Sequence, residues 1–289
     1  MTTLITDKMP VAVDGNKDGV LMTPSMGGLI VSTLLTLATF VRPIHLFIPV
    51  ILIVYGNLPI RLLGYGITLI FFISFIVPAK ASPFLVRFLL SPVLEYFDYD
   101  EIVENTPINI QESIKDGRQY ILACQPHGIV SFCGIASSIR QAQQERQITP
   151  TAVASMVLWT PILKHVMGIY GCKTTTQIRQ NLKENETSCV RLYVGSTAEI
   201  FFCSGQTEVL ELTKRKKFIQ VALQMGVDVI PVYMFGNTSL FSMWKHKWLI
   251  KFSEWTNFPT SYIWGRYGLP IPKQQKVCAT FCNLYHSKN

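Results

Sequence analysis

Residues 26–79 constrain the fold more than any other feature of this sequence, because they contain only two charged side chains, Arg42 and Arg61. Charged residues make up about 25% of an average soluble protein, and they make up 15% of this whole chain. No later segment resembles this one. A region so poor in charge folds either as membrane helices or as the core of a globular domain. We expect membrane helices, because the uncharged length is so concentrated.

The region divides into three apolar stretches, which cover residues 26–41, 43–60 and 62–79. A spanning helix needs about 20 apolar residues, with a range of about 17–25. The second and third stretches reach this length, and the first is short. Asn57 and Pro59 favour a turn between the two longer stretches. We predict a membrane-anchoring helical hairpin over residues 26–80, with two or three spans left open.

Charge on either side of the hairpin predicts its orientation. The first 25 residues are polar, which argues against a cleaved signal peptide, since such a peptide carries its apolar core close to the start. Lys80 and Arg87 follow the last stretch at once, and basic residues collect on the cytosolic side of membranes. We expect a polar tail over residues 1–25, a multi-pass anchor and a cytosol-facing domain over residues 81–289.

The net charge of +8 lies mostly outside the hairpin, because residues 1–80 hold five basic and three acidic side chains. A basic surface beside a membrane anchor favours anionic headgroups or a phosphorylated substrate. No basic-aromatic motif indicates nucleic acid. The seven cysteines sit mostly in apolar runs, which predicts reduced, buried thiols. The spacing of Cys278, Cys282 and His286 is not that of a common zinc site, so we expect no metal.

Beyond residue 81, strands and helices alternate, which predicts the α/β fold class. Residues 82–94 are apolar around Arg87 and suggest an interfacial helix. Apolar runs predict strands over residues 120–124, 189–194 and 227–235, and Pro231 in the last one predicts an edge strand or a bulge. Helical patterns occupy the intervals between them, at residues 129–146, 161–170, 176–184 and 218–225.

The sequence Gln125-Pro126-His127-Gly128 is the leading candidate for chemistry. It lies between a predicted strand and a predicted helix, where α/β enzymes usually place their functional groups. Pro126 ends the strand, and Gly128 allows a positive φ or a close approach of the backbone. Histidine titrates near neutral pH and suits proton transfer. A core histidine bonded to a carbonyl is the alternative that these residues leave open.

Three further candidates lie later in the chain. Glu199 follows the predicted strand at 189–194, so we expect it at the same sheet edge as His127, either as its acid partner or as a helix-start carboxylate. Arg215 and Lys216 open a predicted helix, where a phosphate binds well; a solvated charged face is the alternative. Cys124 and Cys133 flank His127, but buried thiols are normally inert. The GxGxxG, P-loop and GxSxG patterns are missing from the sequence.

Four blocks, in order, resemble the diacylglycerol acyltransferase type 2 family, which includes monoacylglycerol and wax-alcohol acyltransferases. The first is Gln125-Pro126-His127-Gly128, and the second is the turn from Val194 to Glu199. The third runs from Lys216 to Asn237, and the fourth runs from Trp264 to Pro272. Each block alone is weak, but four in family order after a membrane hairpin are specific.

The resemblance implies an α/β acyltransferase domain like that of glycerol-phosphate acyltransferases, and acyl transfer from acyl-CoA to a lipid hydroxyl. His127 would be the general base, with Glu199 as its acid partner and N–H groups near Gly128 or Ile129 binding the oxyanion. Acyl-CoA would be a co-substrate, and neither a cofactor nor a metal is required. The residues implied in substrate binding are Gln125, Pro126, Gly128, Arg215, Lys216, Asn237 and Arg266.

The leading functional prediction is synthesis of triacylglycerol from diacylglycerol at the endoplasmic reticulum membrane, with the lipid droplet as a second location. The alternatives are a monoacylglycerol or wax-alcohol acyltransferase, or an inactive truncated member that binds lipid. Whether the protein forms a homo-oligomer is left open. The chain departs from the family at Gln125, where histidine is usual, and at Lys217 and Asn237. Phe132 stands where related glycerol-phosphate acyltransferases carry an aspartate, and after Pro272 we expect a chain that is short relative to the family.

Overall fold

The computed structural model describes residues 25–40, 42–103, 117–185, 187–195, 201, 217–249, 251 and 261–282. Within these residues, five helices precede the sheet, and they are α1 (Met26–Phe40), α2 (Arg42–Tyr55), α3 (Leu58–Ile76), α4 (Pro83–Leu89) and α5 (Pro92–Tyr96). The three predicted apolar stretches are therefore three helices. The single interfacial helix predicted over residues 82–94 is in fact two short helices, α4 and α5. Helix α4 exposes the apolar side chains of Phe84, Phe88 and Leu89.

Strands and helices alternate through the rest of the described chain, which confirms the α/β prediction. The elements are β1 (Asp100–Val103), β2 (Tyr120–Gln125), α6 (Phe132–Gln144), β3 (Thr151–Val153), α7 (Ser155–Leu158), α8 (Leu163–Ile169), β4 (Cys172–Thr174), α9 (Thr175–Lys183), β5 (Cys189–Tyr193), α10 (Lys217–Met225), β6 (Asp228–Phe235), β7 (Ser242–Met243), β8 (Ile263–Trp264) and β9 (Cys278–Phe281).

In the described residues, the main sheet has seven strands in the order β1-β9-β6-β2-β5-β3-β4, and β7 pairs with β8 in a separate ribbon. Every neighbouring pair in the main sheet is parallel except β6 and β9. The central strand β2 runs between β5 and β6, with Cys124 opposite Tyr193 and Gln125 opposite Tyr233. Because these three strands are parallel, the segments that follow them meet at one edge of the sheet.

Pro231 corrects one sequence-based expectation. The strand β6 that contains it is not an edge strand, because β2 lies on one side and β9 on the other. The pairing between β6 and β9 begins at Val232, and the N–H of Cys282 donates to the Pro231 carbonyl at 2.9 Å. Pro231 therefore occupies the last rung of that ladder, where its missing N–H costs one terminal hydrogen bond.

Helices α2 and α3 pack on each other as a hairpin that turns at Gly56 and Asn57. The Asn57 Oδ1 accepts the N–H of Ile60 at 3.3 Å, and the Arg61 Nε donates to the Gly56 carbonyl at 2.9 Å. These two bonds satisfy backbone groups at the ends of both helices. The predicted turn is confirmed, although α3 begins at Leu58, earlier than the third apolar stretch.

The two helices of the hairpin differ in length. Helix α3 has 19 residues and spans about 28 Å, whereas α2 has 14 residues and spans about 21 Å. The hydrocarbon core of a bilayer is about 30 Å thick. Among the described residues, α3 is accordingly the one helix that combines the length and the apolar composition needed for a crossing.

Helix α1 packs on the α/β region through α5 rather than standing apart from it. Gly28 lies so close to α5 that a Cβ atom at its position would be 2.3 Å from the Pro92 carbonyl oxygen and 2.6 Å from the Tyr96 Cβ. Ser32 and Thr36 are buried on the same helix, and Met26 is exposed on its other side. Small residues thus let α1 approach α5 closely.

The carboxyl end of α3 is tied to the start of α8. The backbone N–H of Ile162 donates to the Ser74 Oγ at 2.9 Å. The Lys164 ammonium donates to the carbonyls of Ser74 and Phe75, both at 3.0 Å, and the His165 Nε2 lies 3.1 Å from the Ser74 carbonyl. A cation at a helix carboxyl end is favourable, because the dipole is negative there. The hairpin therefore returns to the α/β region at α8.

Gly28→Ala is expected to destabilise the protein by about 1–3 kcal/mol, because the added methyl group meets the α5 backbone and overpacks the contact. Gly66→Ala is the matched control, since Gly66 also lies in an apolar helix but has nothing within 4 Å of its Cβ position. Thermal unfolding in detergent should show a lower Tm for Gly28→Ala and an unchanged or higher Tm for Gly66→Ala. Equal Tm values for the two variants would contradict the close α1–α5 contact.

Candidate active site

The turn after β2 carries the candidate histidine. The Gln125–Pro126 peptide bond is cis, and Gly128 adopts φ +64°. A Cβ at Gly128 would lie 2.7 Å from the Asn237 carbonyl oxygen and 2.9 Å from its Nδ2. Glycine is therefore required here both for its φ angle and for the space. The sequence-based expectation for Gly128 is confirmed in both respects.

The His127 ring is held in one orientation. Its Nδ1 lies 2.8 Å from the Gly128 carbonyl oxygen, and because a carbonyl can only accept, Nδ1 carries the proton of the neutral ring. The Tyr193 ring packs edge-to-face against it, with centroids 4.6 Å apart. This leaves the Nε2 lone pair as the ring's acceptor. The alternative, a histidine bonded to a carbonyl, describes Nδ1 alone, because no described residue forms a hydrogen bond with Nε2.

The environment of His127 favours its neutral form. Burial lowers the pKa of His127 below its usual value of 6.5, and the hydrogen bond to the Gly128 carbonyl opposes this shift in part. A neutral imidazole is needed at the start of general-base catalysis. The arrangement can therefore accept a proton at Nε2 at neutral pH.

Asn237 holds the turn from behind. Its Nδ2 donates to the Pro126 carbonyl at 3.2 Å and to the His127 carbonyl at 2.6 Å, and its Oδ1 accepts the Cys133 N–H at 3.1 Å. The side chain is 1% exposed. Sequence analysis placed Asn237 among the substrate-binding residues. The geometry assigns its amide to the turn and to the first turn of α6.

Helix α6 begins later than predicted, at Phe132 rather than residue 129. The intervening residues belong to the turn, and among the described residues nothing accepts a hydrogen bond from the N–H groups of Gly128 and Ile129. Backbone N–H groups without a protein acceptor are the donors that form an oxyanion hole. Both groups directly follow His127 in sequence, and His127 and Ile129 line the cavity described next.

A cavity of about 140 Å³ lies beside His127. A cavity of about 150 Å³ with apolar walls takes a ligand the size of benzene, so this one has room for a short part of an apolar chain. Its walls are mostly apolar, and Ser131, Ser138 and Arg191 are among the polar residues that line it. The aliphatic and sulfur-containing side chains in the wall are Ile129, Val130, Ile135, Val153, Val157, Leu163, Met167 and Cys172.

Arg191 is a buried residue of the site that sequence reasoning missed. Its guanidinium donates to the Gly134 carbonyl at 3.2 Å, to the Ser137 Oγ at 3.1 Å and to the Ser138 Oγ. These bonds join β5 to α6 beneath the cavity. The signal in the sequence was a charged residue inside an otherwise apolar predicted strand, because a buried arginine must find acceptors on a neighbouring element.

Cys124 and Cys133 are unsuited to act as nucleophiles. Burial raises the pKa of the Cys124 thiol to about 11, and it raises the pKa of Cys133 well above its usual value. Both thiols are therefore protonated at neutral pH, and the thiolate is the reactive form. Within the described part of the chain, no three His, Cys, Asp or Glu side chains are grouped as metal ligands would be.

The remaining predicted site residues fall into three groups. Glu199, Arg215 and Lys216 lie outside the described residues, although Val194, just before the Glu199 turn, donates its N–H to the Cys124 carbonyl at 3.4 Å. Gln125 and Pro126 belong to the turn itself, and the Gln125 Oε1 is buried without a donor among the described residues. Arg266 sits in a separate turn, where its guanidinium lies 5.3 Å from the Tyr267 ring centroid.

A family model described as diacylglycerol acyltransferase matches residues 65–267, which is more than half of the chain. The matched region includes the turn, the strands on both sides of it and Asn237. The chain belongs to the diacylglycerol acyltransferase family. This confirms the resemblance that the four sequence blocks indicated.

Individual family members match over shorter spans. Human diacylglycerol O-acyltransferase 2-like protein 6 is 30% identical over 43% of this chain and 39% of its own length. Human 2-acylglycerol O-acyltransferase 3 is 25% identical over 52% of this chain and 48% of its own length. Diacylglycerol O-acyltransferase 2 of Xenopus laevis is 26% identical over 59% of this chain and 57% of its own length. The chain thus spans about half the length of the curated relatives it matches.

Among solved structures, the crystal structure of the 1-acyl-sn-glycerophosphate acyltransferase from Thermotoga maritima is similar to this chain. The alignment covers 90% of this chain and 88% of that chain, with a TM-score of 0.39 and 15% sequence identity.

Gly128→Ala is expected to cost more stability and more activity than Gly226→Ala. Both glycines have φ +64°, but a Cβ at Gly226 has nothing within 4 Å, so the control carries only the left-handed backbone cost of about 1–2 kcal/mol. At position 128 the methyl group also displaces Asn237 from the turn. Denaturant unfolding and an acyl-transfer assay should rank the variants in this order. Equal losses of stability and activity would contradict the close packing of the turn on Asn237.

Proposed function

We propose that the protein is an acyl-CoA-dependent O-acyltransferase that makes triacylglycerol from diacylglycerol at the endoplasmic reticulum membrane. One observation carries the proposal, namely a neutral His127 with its Nε2 lone pair available beside an apolar cavity. A base next to an apolar pocket suits a reaction between a hydroxyl group and a fatty acyl thioester. Membership of the diacylglycerol acyltransferase family supports the same chemistry.

In the proposed reaction, Nε2 of His127 takes the proton from the lipid hydroxyl as its oxygen attacks the thioester carbonyl. The carbonyl oxygen becomes an oxyanion, for which the N–H groups of Gly128 and Ile129 are the proposed donors. When the tetrahedral intermediate collapses, the carbon–sulfur bond breaks and the imidazolium returns its proton to the CoA thiolate. The products are an ester and CoA, and neither a metal nor a cofactor takes part.

Some of the proposed residues contact the substrate, and others hold the contacting residues in position. The Gly128 carbonyl orients the ring through Nδ1, and Glu199 is proposed as the acid that stabilises the imidazolium. Asn237 is a positioning residue, because its bonds lie behind the turn. Gln125, Pro126 and Gly128 would shape the approach of the acyl group. For the CoA phosphates, we propose Arg215 and Lys216, with Arg266 as a further cation.

The hairpin of α2 and α3 is proposed to enter the bilayer from the side of the α/β region and to return to it. Two contacts support this arrangement, since α1 packs on α5 and the end of α3 is tied to α8. A hairpin within residues 26–80 that enters and leaves the bilayer on one side leaves residues 81–289 facing the cytosol, with the polar tail of residues 1–25 before it. The endoplasmic reticulum, the lipid droplet and a homo-oligomeric state are further predictions.

Two alternatives keep the same site but change its use. A monoacylglycerol or a long-chain alcohol would replace diacylglycerol as the acceptor, and relatives named 2-acylglycerol O-acyltransferase 3 and acyl-CoA wax alcohol acyltransferase 2 support this choice. The other alternative is an inactive family member that binds lipid without transferring an acyl group. The acceptor assay described next separates all three.

Membranes containing the wild-type chain are expected to convert labelled acyl-CoA and diacylglycerol to triacylglycerol. His127→Ala should lower that rate by about 10²–10⁴-fold, which is the usual contribution of a general base. His246→Ala is the matched control, because His246 is exposed and contacts Trp244 and Trp248 instead of the cavity. Ester formation on monoacylglycerol or a long-chain alcohol, and not on diacylglycerol, would identify one of these as the acceptor. Unchanged activity of His127→Ala would show that His127 is not the base.

The pH dependence of kcat/KM should follow the lowered pKa of His127. The neutral ring is the active form, so activity is lost as the pH falls through the pKa of the free enzyme. Because that pKa lies below the usual 6.5, the rate should stay constant from pH 8 to below 6.5 and decline only at lower pH. An acid limb centred above pH 6.5 would contradict a buried, neutral His127.

A further inference from the structure

The corner between α7 and α8 exposes large apolar side chains. Trp159 is 73% exposed, Met156 is 51% exposed and Ile162 is 45% exposed. The segment that contains them is short, and Pro161 lies between the tryptophan and the isoleucine. A cluster of this kind on a protein surface marks a contact with lipid or with a partner.

The flanks of this corner form part of the cavity wall. Val157 precedes Trp159 by two residues, Leu163 follows Ile162, and both of them line the cavity beside His127. Met167, one turn further along α8, lines it as well. The corner therefore has an inner side at the candidate active site and an outer side made of exposed apolar groups.

The corner lies at the end of the helix that has the length of a membrane span. The Ile162 N–H donates to the Ser74 Oγ at 2.9 Å, and the Lys164 ammonium donates to the carbonyls of Ser74 and Phe75. A spanning helix ends at the interface between hydrocarbon and headgroups. Tryptophan side chains and lysine ammonium groups are typical of that depth, so Trp159 sits where an interfacial anchor belongs.

Ile162 is held in an unusual backbone conformation, with φ +64° and ψ −56°. This region is strained for a β-branched residue, and such strain persists only where the surroundings impose it. The surroundings here are the Ser74 hydroxyl and the first turn of α8, where the His165 N–H donates to the Ile162 carbonyl at 2.9 Å. The end of α3 thus fixes the shape of the corner.

We propose that the α7–α8 corner is the portal through which the glyceride acceptor passes from the bilayer to His127, with Trp159 in contact with the acceptor at the interface. This inference rests on the proposed function, since it adds the entry route of the acceptor to the same site. Lipid at the depth of the α3 end meets Met156, Trp159 and Ile162 first. The next side chains inward are those of Val157 and Leu163, in the cavity wall. Acyl-CoA carries a large polar head and arrives from the aqueous side.

The first test measures tryptophan fluorescence of the full chain in nanodiscs, with no need for turnover. Brominated diacylglycerol should quench the wild type more strongly than brominated phosphatidylcholine at the same mole fraction. Trp248→Phe, the matched control at a 57% exposed tryptophan, should keep this difference, and Trp159→Phe should lose it. Equal quenching by the two lipids, or an unchanged difference in Trp159→Phe, would overturn the portal.

The second test is kinetic. Trp159→Ala should raise the KM for diacylglycerol by about three- to tenfold, the size expected for the loss of an aromatic contact, and leave the KM for acyl-CoA unchanged. Trp248→Ala should leave both KM values unchanged. Equal effects on the two substrates would reject the portal while ester formation still upholds the proposed function. No ester formation by the wild type on any acceptor would reject the proposed function, and the quenching test would still decide whether the corner contacts the acceptor.

Discussion

The Asn237 side chain joins the three segments on which the candidate site depends. It follows β6, it bonds the carbonyls of Pro126 and His127 after β2, and it accepts the N–H of Cys133 in the first turn of α6. A buried amide that left these groups unpaired would cost about 1–3 kcal/mol for each of them. The close approach of Asn237 also explains why position 128 must be glycine. One side chain therefore sets the conformation of the turn that presents His127.

A second set of contacts holds β5 against α6 and against the His127 ring. Arg191 bonds three groups of α6 from β5, and two positions further along the same strand Tyr193 packs against the His127 ring. The imidazole thus lies between a hydrogen bond on one side and an aromatic ring on another. Sites supported in this way hold their geometry without input from the substrate. The apolar hairpin reaches the same cavity by a separate route, through α3, Ser74 and α8.

The sequence predicted most of the elements and the place of the site within them. Alternating periodicities predicted the α/β region, and Pro126 and Gly128 predicted a turn at the end of β2. The order of the strands in the sheet could not be predicted in this way, because periodicity does not show which strands become neighbours. Pro231 therefore suggested an edge strand, although β6 is interior. The roles of Asn237 and Arg191 depend on contacts across more than fifty residues of sequence, so the sequence could show only their polarity.

The central claim is that His127 acts at the mouth of an apolar cavity that receives the acyl group. The structure of the full chain in a nanodisc with a non-reactive thioether analogue of acyl-CoA tests it most directly. We expect the carbon corresponding to the thioester carbonyl to lie next to Nε2 of His127, leaving room for a hydroxyl oxygen at about 3–3.5 Å. We also expect the chain of the analogue to enter the cavity between Ile135 and Leu163. An analogue bound with its reactive carbon away from His127 and the cavity empty would show that His127 is not the base.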